Sequence, residues 1–441
     1  MGTMHTISSA ATAFRCGDFT PVDLLEQCFA RIDALEERIC AWVFVDKERS
    51  RADAVRLTNE LKRGLDRGPL HGIPLGIKDL FDVFDWPTAA GSKRWASSYA
   101  RQDCPAVTQL RQAGAVLVGK TVTTAYAAFD PPVTKNPWRG DRTPGGSSSG
   151  SAAAVACGMI PAAIGSQTGG SITRPASYCG VYGLKPTFGR VSLEGVVPLS
   201  TSLDHAGPIA GNVRDCALVL QAIARQSMAD PVDDFITGIG SVSARKLVAP
   251  AGYFFDRAEP VMRAGYEKLL ERMQSLGWTI ESRPLPTSFA DVPGNHRTIM
   301  AVDAATFHGE RWRRFPEDYP PKFTSLVEQG LATSAPDYVR CREHQMLAKA
   351  ETVNWVGVHG PIIVPATTGP APDPSTIGEP SFQAPWSYLG VPTVSLPFAW
   401  TEDGLPMCVQ IVGGHGREGE LIAVAAELEA AIRFEKREVQ V

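Results

Sequence analysis

Residues 144–156 read PGGSSSGSAAAVA and residues 165–176 read GSQTGGSITRPA, two stretches that are rich in Gly and Ser. Both also contain many apolar residues, which is unusual for a surface linker. The alanine-rich run after Ser151 is typical of a helix packed closely against a sheet. Upstream, residues 71–79 read HGIPLGIKD and predict a short buried strand that carries Lys78.

Helices alternate with buried strands along the rest of the chain. Residues 7–63 predict helices, because Pro21 follows a good N-cap at Thr20 and apolar residues then recur at helical spacing. Residues 105–113 predict another helix, and the apolar run 115–118 predicts a buried strand. This alternation indicates an α/β layer fold in a single domain. Its predicted segments are N-terminal helices (1–70), a core with the candidate chemistry (71–225), a variable helical insertion (226–345) and C-terminal strands with a final helix near 417–434 (346–441).

Composition excludes several classes of protein. The 441 residues carry 43 Lys and Arg against 47 Asp and Glu, a balance that argues against a nucleic-acid partner. No apolar run reaches the roughly 18 residues of a membrane-spanning helix. The nine Cys are scattered without a CxxC pair and no HExxH motif occurs, so we expect no disulfide framework, no common zinc site and a cytoplasmic location. The start, MGTMHT, matches the myristoylation pattern, but we favour vector-derived residues before a native Met4.

Two motifs suggest other chemistries. Residues 114–121, GAVLVGKT, match a phosphate-binding loop, but such a loop must follow a strand and open a helix. Here the middle of the motif is itself the predicted strand, so its N–H groups would be used by the sheet. Residues 146–150, GSSSG, match a nucleophile elbow that would make Ser148 the nucleophile of an α/β-hydrolase. No apolar strand precedes this motif, so we rank that interpretation lower.

Lys78 and the two Gly/Ser stretches together indicate a serine that is activated without histidine. A serine hydroxyl is a weak nucleophile until a base takes its proton. A buried lysine can be that base when desolvation lowers its pKa from about 10.4 by roughly three units. Glycines beside Ser171 would let successive backbone N–H groups point at one spot and form an oxyanion hole.

These residues resemble the amidase signature family of serine hydrolases, over residues 71–225 and again between 365 and 413. The resemblance implies one large twisted mixed β-sheet covered by α-helices on both faces. It implies Ser171 as nucleophile, Ser147 as bridging serine held by a cis peptide bond, and Lys78 as base. The backbone N–H groups that it assigns to the oxyanion hole are those of Thr168, Gly169, Gly170 and Ser171.

One loop departs from the family pattern GSDTGGSIR. Gln167 and Thr173 stand where many members have an Asp and an Arg that can pair, so neither charge is left alone. The variant TGGSxxRPA resembles a malonamidase-like and carboxybiuret-type subgroup, whose substrates carry a carboxylate. Arg174 either clamps such a carboxylate or bonds nearby carbonyls as a structural residue, and the sequence leaves both interpretations open.

The resemblance implies hydrolysis of a C–N acyl bond in a small molecule: an amide, anilide, urea or carbamate. The acyl-enzyme route that it implies needs no metal and no cofactor. Candidate substrate-pocket residues are Tyr126, Phe129, Trp386 and Tyr388, and this aromatic set favours uncharged substrates. The alternative is a small carboxylate-bearing amide held by Arg174. Less favoured alternatives are the amidase subunit of a tRNA-dependent transamidation complex and a non-catalytic binding module. A homodimer is a further expectation.

Overall fold

The computed structural model describes residues 5–225, 234–242 and 244–440. Within them, eleven strands form one mixed sheet. The strands are β1 (Trp42–Val45), β2 (Pro74–Lys78), β3 (Val116–Thr121), β4 (Ala162–Gln167), β5 (Tyr182–Lys185), β6 (His205–Ala210), β7 (Lys246–Val248), β8 (Thr279–Glu281), β9 (Ile362–Pro365), β10 (Thr393–Trp400) and β11 (Pro406–Val412).

The strand order is β1-β3-β2-β4-β6-β5-β10-β11-β9-β7-β8. Strands β3, β2 and β4 are parallel neighbours, and β9, β7 and β8 form a second parallel set. The other neighbouring pairs are antiparallel. Because parallel strands end at the same edge, the carboxyl ends of β2, β3 and β4 lie side by side.

Fourteen α-helices occur in the described residues. They are α1 (Ile7–Cys16), α2 (Pro21–Ile39), α3 (Lys47–Lys62), α4 (Pro105–Gln112), α5 (Ser149–Ala156), α6 (Thr173–Cys179), α7 (Val213–Ile223), α8 (Tyr253–Arg257), α9 (Pro260–Ser275), α10 (Val292–Arg314), α11 (Pro321–Ala332), α12 (Ala335–His359), α13 (Ala384–Tyr388) and α14 (Glu418–Ile432).

The two faces of the sheet pack against different helices. On β3, Leu117 belongs to the larger hydrophobic cluster, which includes α4 and α7. Its neighbours Val116 and Val118 point the other way, into a second cluster that includes α2, α3 and α5. Side chains alternate between faces along a strand, so both faces are covered. The predicted fold class, a large mixed sheet with helices on both faces, is confirmed.

Local signals were reliable where a cap and a periodic pattern coincide. Helix α2 begins at Pro21 with Thr20 as N-cap in a capping box with Asp23, as its sequence predicts. The segment 7–63, predicted as helices alone, also contains β1, which pairs antiparallel with β3. The sequence prediction missed β1 because this strand is an apolar run of only four residues. Such a run is too short to show a strand pattern between two flanking helices.

The insertion predicted over 226–345 is not purely helical. Its short strands β7 and β8 extend the main sheet beyond β9. Its predicted end at 345 falls inside α12, which runs from Ala335 to His359. Residues 226–233 and the myristoylation-like residues 1–4 lie outside the described residues. Across the described ranges, no helix is both long and apolar enough to cross a membrane.

Candidate active site

The carboxyl ends of β2 and β4 bring Lys78 beside Ser147 and Ser166. Lys78 Nζ lies 2.6 Å from Ser147 Oγ, 2.9 Å from Ser166 Oγ and 3.3 Å from the Ser166 carbonyl oxygen. The lysine is fully buried. A neutral amine can donate to the carbonyl and to one hydroxyl and accept from the other hydroxyl, so these partners suit an uncharged Lys78.

Burial also sets the protonation of this lysine. Desolvation holds the pKa of Lys78 well below its usual range, and the nearby Arg174 guanidinium lowers it further. The Asp204 carboxylate opposes both effects. The amine can therefore lose its proton far more readily than a lysine in water, which is what a general base near neutral pH requires.

Ser147 lies on a loop between β3 and α5. The Gly146–Ser147 peptide bond is cis. The Thr124 backbone N–H donates to the Ser147 carbonyl at 3.2 Å. Helix α5 approaches the sheet so closely that a Cβ on Gly150 would lie 2.2 Å from the Ala41 carbonyl oxygen, so only glycine fits there. This close packing fixes the loop that carries Ser147.

Ser171 follows β4 on a loop that its neighbours hold firmly. The Ser171 carbonyl accepts from the Ser148 N–H at 3.2 Å, which places the two serine-bearing loops side by side. Gln167 Oε1 accepts from the N–H groups of Ile172 and Thr173 and from the Thr173 hydroxyl, at 2.9, 3.0 and 3.1 Å. The exchange of an Asp–Arg pair for Gln and Thr thus leaves a hydrogen-bonded neutral pair.

The N–H groups of Gly169, Gly170 and Ser171 have no acceptor among residues 5–225, 234–242 and 244–440. The carbonyls of the same peptide units are all held. His296 Nε2 lies 3.0 Å from the Thr168 carbonyl, Ser387 Oγ lies 3.0 Å from that of Gly169, and the Arg174 N–H lies 2.8 Å from that of Gly170. Since N–H and C=O point in opposite directions across a trans peptide, three free donors face away from these anchors. Such a row of donors suits an oxyanion.

Ser148, the nucleophile of the rival interpretation, has a structural position. Its Oγ lies 3.2 Å from the Ser166 carbonyl oxygen and 3.3 Å from the Ser166 nitrogen. The side chain is fully buried against β4. In the part of the chain that the structure describes, no histidine bonds this hydroxyl, so it lacks the base that an elbow serine needs.

The phosphate-loop motif is a strand, as its sequence context predicts. Residues 116–121 form β3 and pair with both β1 and β2. Lys120 is buried, with Nζ 3.0 Å from Asp79 Oδ1 and 2.8 Å from the Pro87 carbonyl. The backbone of the motif is used by the sheet, and the Lys120 ammonium group is used by Asp79 and the Pro87 carbonyl. Neither is available to a nucleotide.

Arg174 is buried behind the loop that carries Ser147. Its Nη2 donates to the Gly146 carbonyl at 2.8 Å. Its Nε and Nη1 have no partner within the described ranges, and desolvation lowers the pKa of the guanidinium to about 10. The structural interpretation from sequence accounts for one of the three guanidinium nitrogens and leaves the other two without a partner.

The aromatic pocket candidates are packed into the fold. The ring of Tyr126 stacks on Tyr319 with centroids 4.7 Å apart, and its hydroxyl donates to Asp318. Phe129 is partly buried against the core.

The two C-terminal aromatics are buried as well. Trp386 has no exposed surface and stacks on Phe254 with centroids 5.5 Å apart. Tyr388 lies with its hydroxyl 2.8 Å from His344 Nδ1. A substrate role for Tyr126, Phe129, Trp386 and Tyr388 stays a prediction.

Sequence reasoning missed Asp204 and His296 as neighbours of this site. The Thr168 hydroxyl donates to Asp204, whose other oxygen accepts from the N–H groups of Leu199 and Ser200 at 2.9 and 3.0 Å. Burial raises the pKa of Asp204 to about 6. Partners this distant along the chain leave no local pattern; the sequence shows only that Asp204 and His205 are adjacent.

A cavity of about 530 Å³ lies near the amino end of β4, beside Trp138, Pro161 and Trp400. None of the predicted site residues lines it. The chemistry-bearing groups are therefore gathered at the carboxyl ends of β2 and β4, away from this cavity.

Residues 23–356 match the family model described as Amidase. The chain belongs to the amidase family. An amidase from Pseudomonas putida is 33% identical, with 98% of this chain and 96% of that protein covered. One of the subunits of the Glutamyl-tRNA(Gln) amidotransferase of Geobacillus kaustophilus is 32% identical, with 98% of each chain covered.

Solved amidase structures share the fold. One is 33% identical with a TM-score of 0.88, covering 97% of this chain and 100% of the other. The native peptide amidase from Stenotrophomonas maltophilia is 26% identical with a TM-score of 0.85, covering 99% and 98%. This amidase-family chain is accordingly an amidase-type hydrolase of C–N bonds.

Proposed function

We propose that this chain hydrolyses the C–N acyl bond of a small amide, anilide, urea or carbamate through an acyl-enzyme on Ser171. The observation that carries the proposal is the buried Lys78 amine, 2.6 Å from Ser147 Oγ and with a lowered pKa. A base in this state can draw a proton through one serine from another. The N–H groups of the 169–171 loop, which have no acceptor in the described residues, support the same assignment.

The reaction divides into two half-reactions. Ser171 Oγ attacks the acyl carbon while its proton passes to Ser147 and the Ser147 proton passes to Lys78. The oxyanion is held by the N–H groups of Gly169, Gly170 and Ser171. The C–N bond then breaks, and the leaving nitrogen takes a proton back from Lys78 through Ser147. Water, deprotonated by the same relay, attacks the ester, and the acid leaves as Ser171 regains its proton.

The test combines covalent labelling with amide turnover. A fluorophosphonate should label Ser171, and released amine should be detected from a panel of small amides, anilides and carbamates. Ser171→Ala should abolish both signals, whereas Ser148→Ala, the matched neighbour, should retain most of each. Labelling of Ser148 with activity surviving in Ser171→Ala would overturn the proposal. An unlabelled wild type would favour the binding-module alternative.

Arg174 favours a second candidate, the hydrolysis of carboxylate-bearing amides of the malonamate or carboxybiuret type. Two buried guanidinium nitrogens of Arg174, Nε and Nη1, lack partners in the described residues, and leaving them so is costly. A substrate carboxylate would neutralise this buried charge and accept a hydrogen bond from one of these two nitrogens. The aromatic side chains that favoured uncharged substrates have their own packing partners, which weakens the opposing inference.

A matched pair of substrates, one acid–amide and the corresponding diamide, separates the two candidates. If Arg174 binds a carboxylate, Arg174→Met should lower kcat/KM about ten- to a hundredfold for the acid–amide and spare the diamide. Equal losses on both substrates, together with a lower melting temperature, would make Arg174 structural.

The likeness to one of the Glutamyl-tRNA(Gln) amidotransferase subunits supports a third candidate, in which the chain releases ammonia from an amide for a partner enzyme. Glutamine as sole substrate tests it. Turnover of glutamine that exceeds turnover of every other amide in the panel would favour this role, and absence of glutamine turnover would remove it.

A further inference from the structure

The loop 168–170 is held by side chains from two distant parts of the chain. His296 comes from α10 in the insertion, and Ser387 comes from α13 near the C-terminus. Each lies 3.0 Å from a carbonyl oxygen of this loop, that of Thr168 for His296 and that of Gly169 for Ser387. The insertion therefore reaches the catalytic loop itself.

The chemistry of the His296 contact is defined. A carbonyl oxygen only accepts hydrogen bonds, so Nε2 must carry the proton that faces Thr168. Burial lowers the pKa of His296 to about 4, which keeps the imidazole neutral and leaves Nε2–H as its donor to this carbonyl. The ring also packs on the loop, since a Cβ on Gly169 would lie 3.7 Å from His296 Cε1.

The hydrogen bonds to the Thr168 and Gly169 carbonyls also fix the direction of the Gly169 and Gly170 N–H groups. The Thr168 carbonyl and the Gly169 N–H belong to one rigid plane and point in opposite directions, as do the Gly169 carbonyl and the Gly170 N–H. Turning either plane by a few tens of degrees would misdirect an N–H, because a hydrogen bond weakens steeply away from linearity. Glycine imposes little conformational restraint of its own, so other residues must supply the restraint.

We propose that His296 and Ser387 are positioning residues that orient the Gly169 and Gly170 N–H groups toward the oxyanion formed on Ser171. This inference rests on the proposed function and deepens it: the insertion contributes to transition-state stabilisation through His296. Neither residue touches the reacting atoms.

The test measures fluorophosphonate labelling, whose phosphoryl oxygen needs the same donors. His296→Leu should lower the maximal labelling rate at Ser171 about tenfold or more while the half-saturating reagent concentration changes less than about threefold. His296→Gln, which can still donate to the Thr168 carbonyl, should recover a substantial part of the rate. Ser387→Ala should also lower the maximal labelling rate. This variant loses the hydrogen bond from Gln167 Nε2 as well.

His308 is the matched control. It is also a buried histidine on α10, with Nε2 2.9 Å from the Pro198 carbonyl, and burial likewise lowers its pKa to about 4. His308→Leu should lower the melting temperature about as much as His296→Leu does. Its labelling rate should nevertheless stay within about threefold of the wild-type rate. Equal rate losses at both histidines, or a full rate in folded His296→Leu and Ser387→Ala, would overturn the inference. A wild type that is not labelled at Ser171 would instead overturn the proposed function.

Discussion

Lys78 and Lys120 lie on neighbouring parallel strands, and both side-chain amino groups are fully buried, yet their surroundings differ. In the β2–β3 register Ile77 is opposite Lys120, so the two lysine side chains leave opposite faces of the sheet. Lys120 contacts the Asp79 carboxylate at 3.0 Å. Lys78 contacts two hydroxyls and one carbonyl.

This difference teaches what turns a buried lysine into a base. Burial lowers the pKa of both amines, but for Lys120 the adjacent Asp79 opposes that effect and stabilises the charged form. For Lys78 desolvation dominates, because the two charges that also act on its pKa, Asp204 and Arg174, oppose each other. A charged lysine held by a carboxylate stabilises the fold, whereas a lysine among hydroxyls can accept a proton.

The largest expected effect comes from the matched pair Lys78→Met and Lys120→Met. Lys78→Met should lower kcat by about 10²–10⁴, the usual contribution of a general base, with little loss of stability. Lys78→Arg should be equally inactive, because a guanidinium stays protonated. Amide turnover and the melting temperature are measured for each. An active Lys78→Arg variant would show that a permanently charged side chain suffices at position 78. That result would contradict the role of Lys78 as a neutral base and its contrast with Lys120.

Lys120→Met should act on stability instead. Removing one partner of a buried ion pair costs about 3–5 kcal/mol, because Asp79 keeps a buried charge. The double variant Asp79→Asn with Lys120→Met should recover a large part of that loss in urea unfolding. If the single variant is as stable as wild type, Lys120 is not a structural cation. If folded Lys120→Met loses as much kcat as Lys78→Met, the division of roles fails.

The smallest expected effect is that of Ser166→Ala. It removes one hydroxyl, 2.9 Å from Lys78 Nζ, and leaves the Ser147 contact in place. One lost hydrogen bond is worth about 0.5–1.5 kcal/mol, so turnover should fall about two- to tenfold. A loss as large as that of Lys78→Met would show that Ser166, and not Ser147, carries the proton.

Sequence patterns predicted the parts of the molecule that depend on short stretches. The buried strand with Lys78, the alanine-rich helix after Ser151 and the α/β class follow from local composition and periodicity. The assignments to Ser147 and Ser171 required the family resemblance, because nothing local distinguishes these serines from Ser148. Three consecutive serines have the same chemistry until the packing of β4 against α5 is known.

The remaining features depend on contacts between distant residues. His296 and Thr168 are separated by 128 positions, and Asp318 and Tyr126 by 192. No pattern within a window of ten or twenty residues can specify such pairs. The three-residue strands β7 and β8 are also too short to alternate visibly; β7 forms because it pairs with β9, and β8 because it pairs with β7.

The pH dependence of labelling at Ser171 tests the central claim, that Lys78 is a base because burial depresses its pKa. A lysine that must be neutral to act is inactive while it is protonated, so the labelling rate should rise with pH. We expect a single rise whose midpoint lies well below 10.4, the usual lysine value, with a plateau above it and no rise in Lys78→Met. A rate that is flat across this range, or one that rises only near 10.4, would contradict the account.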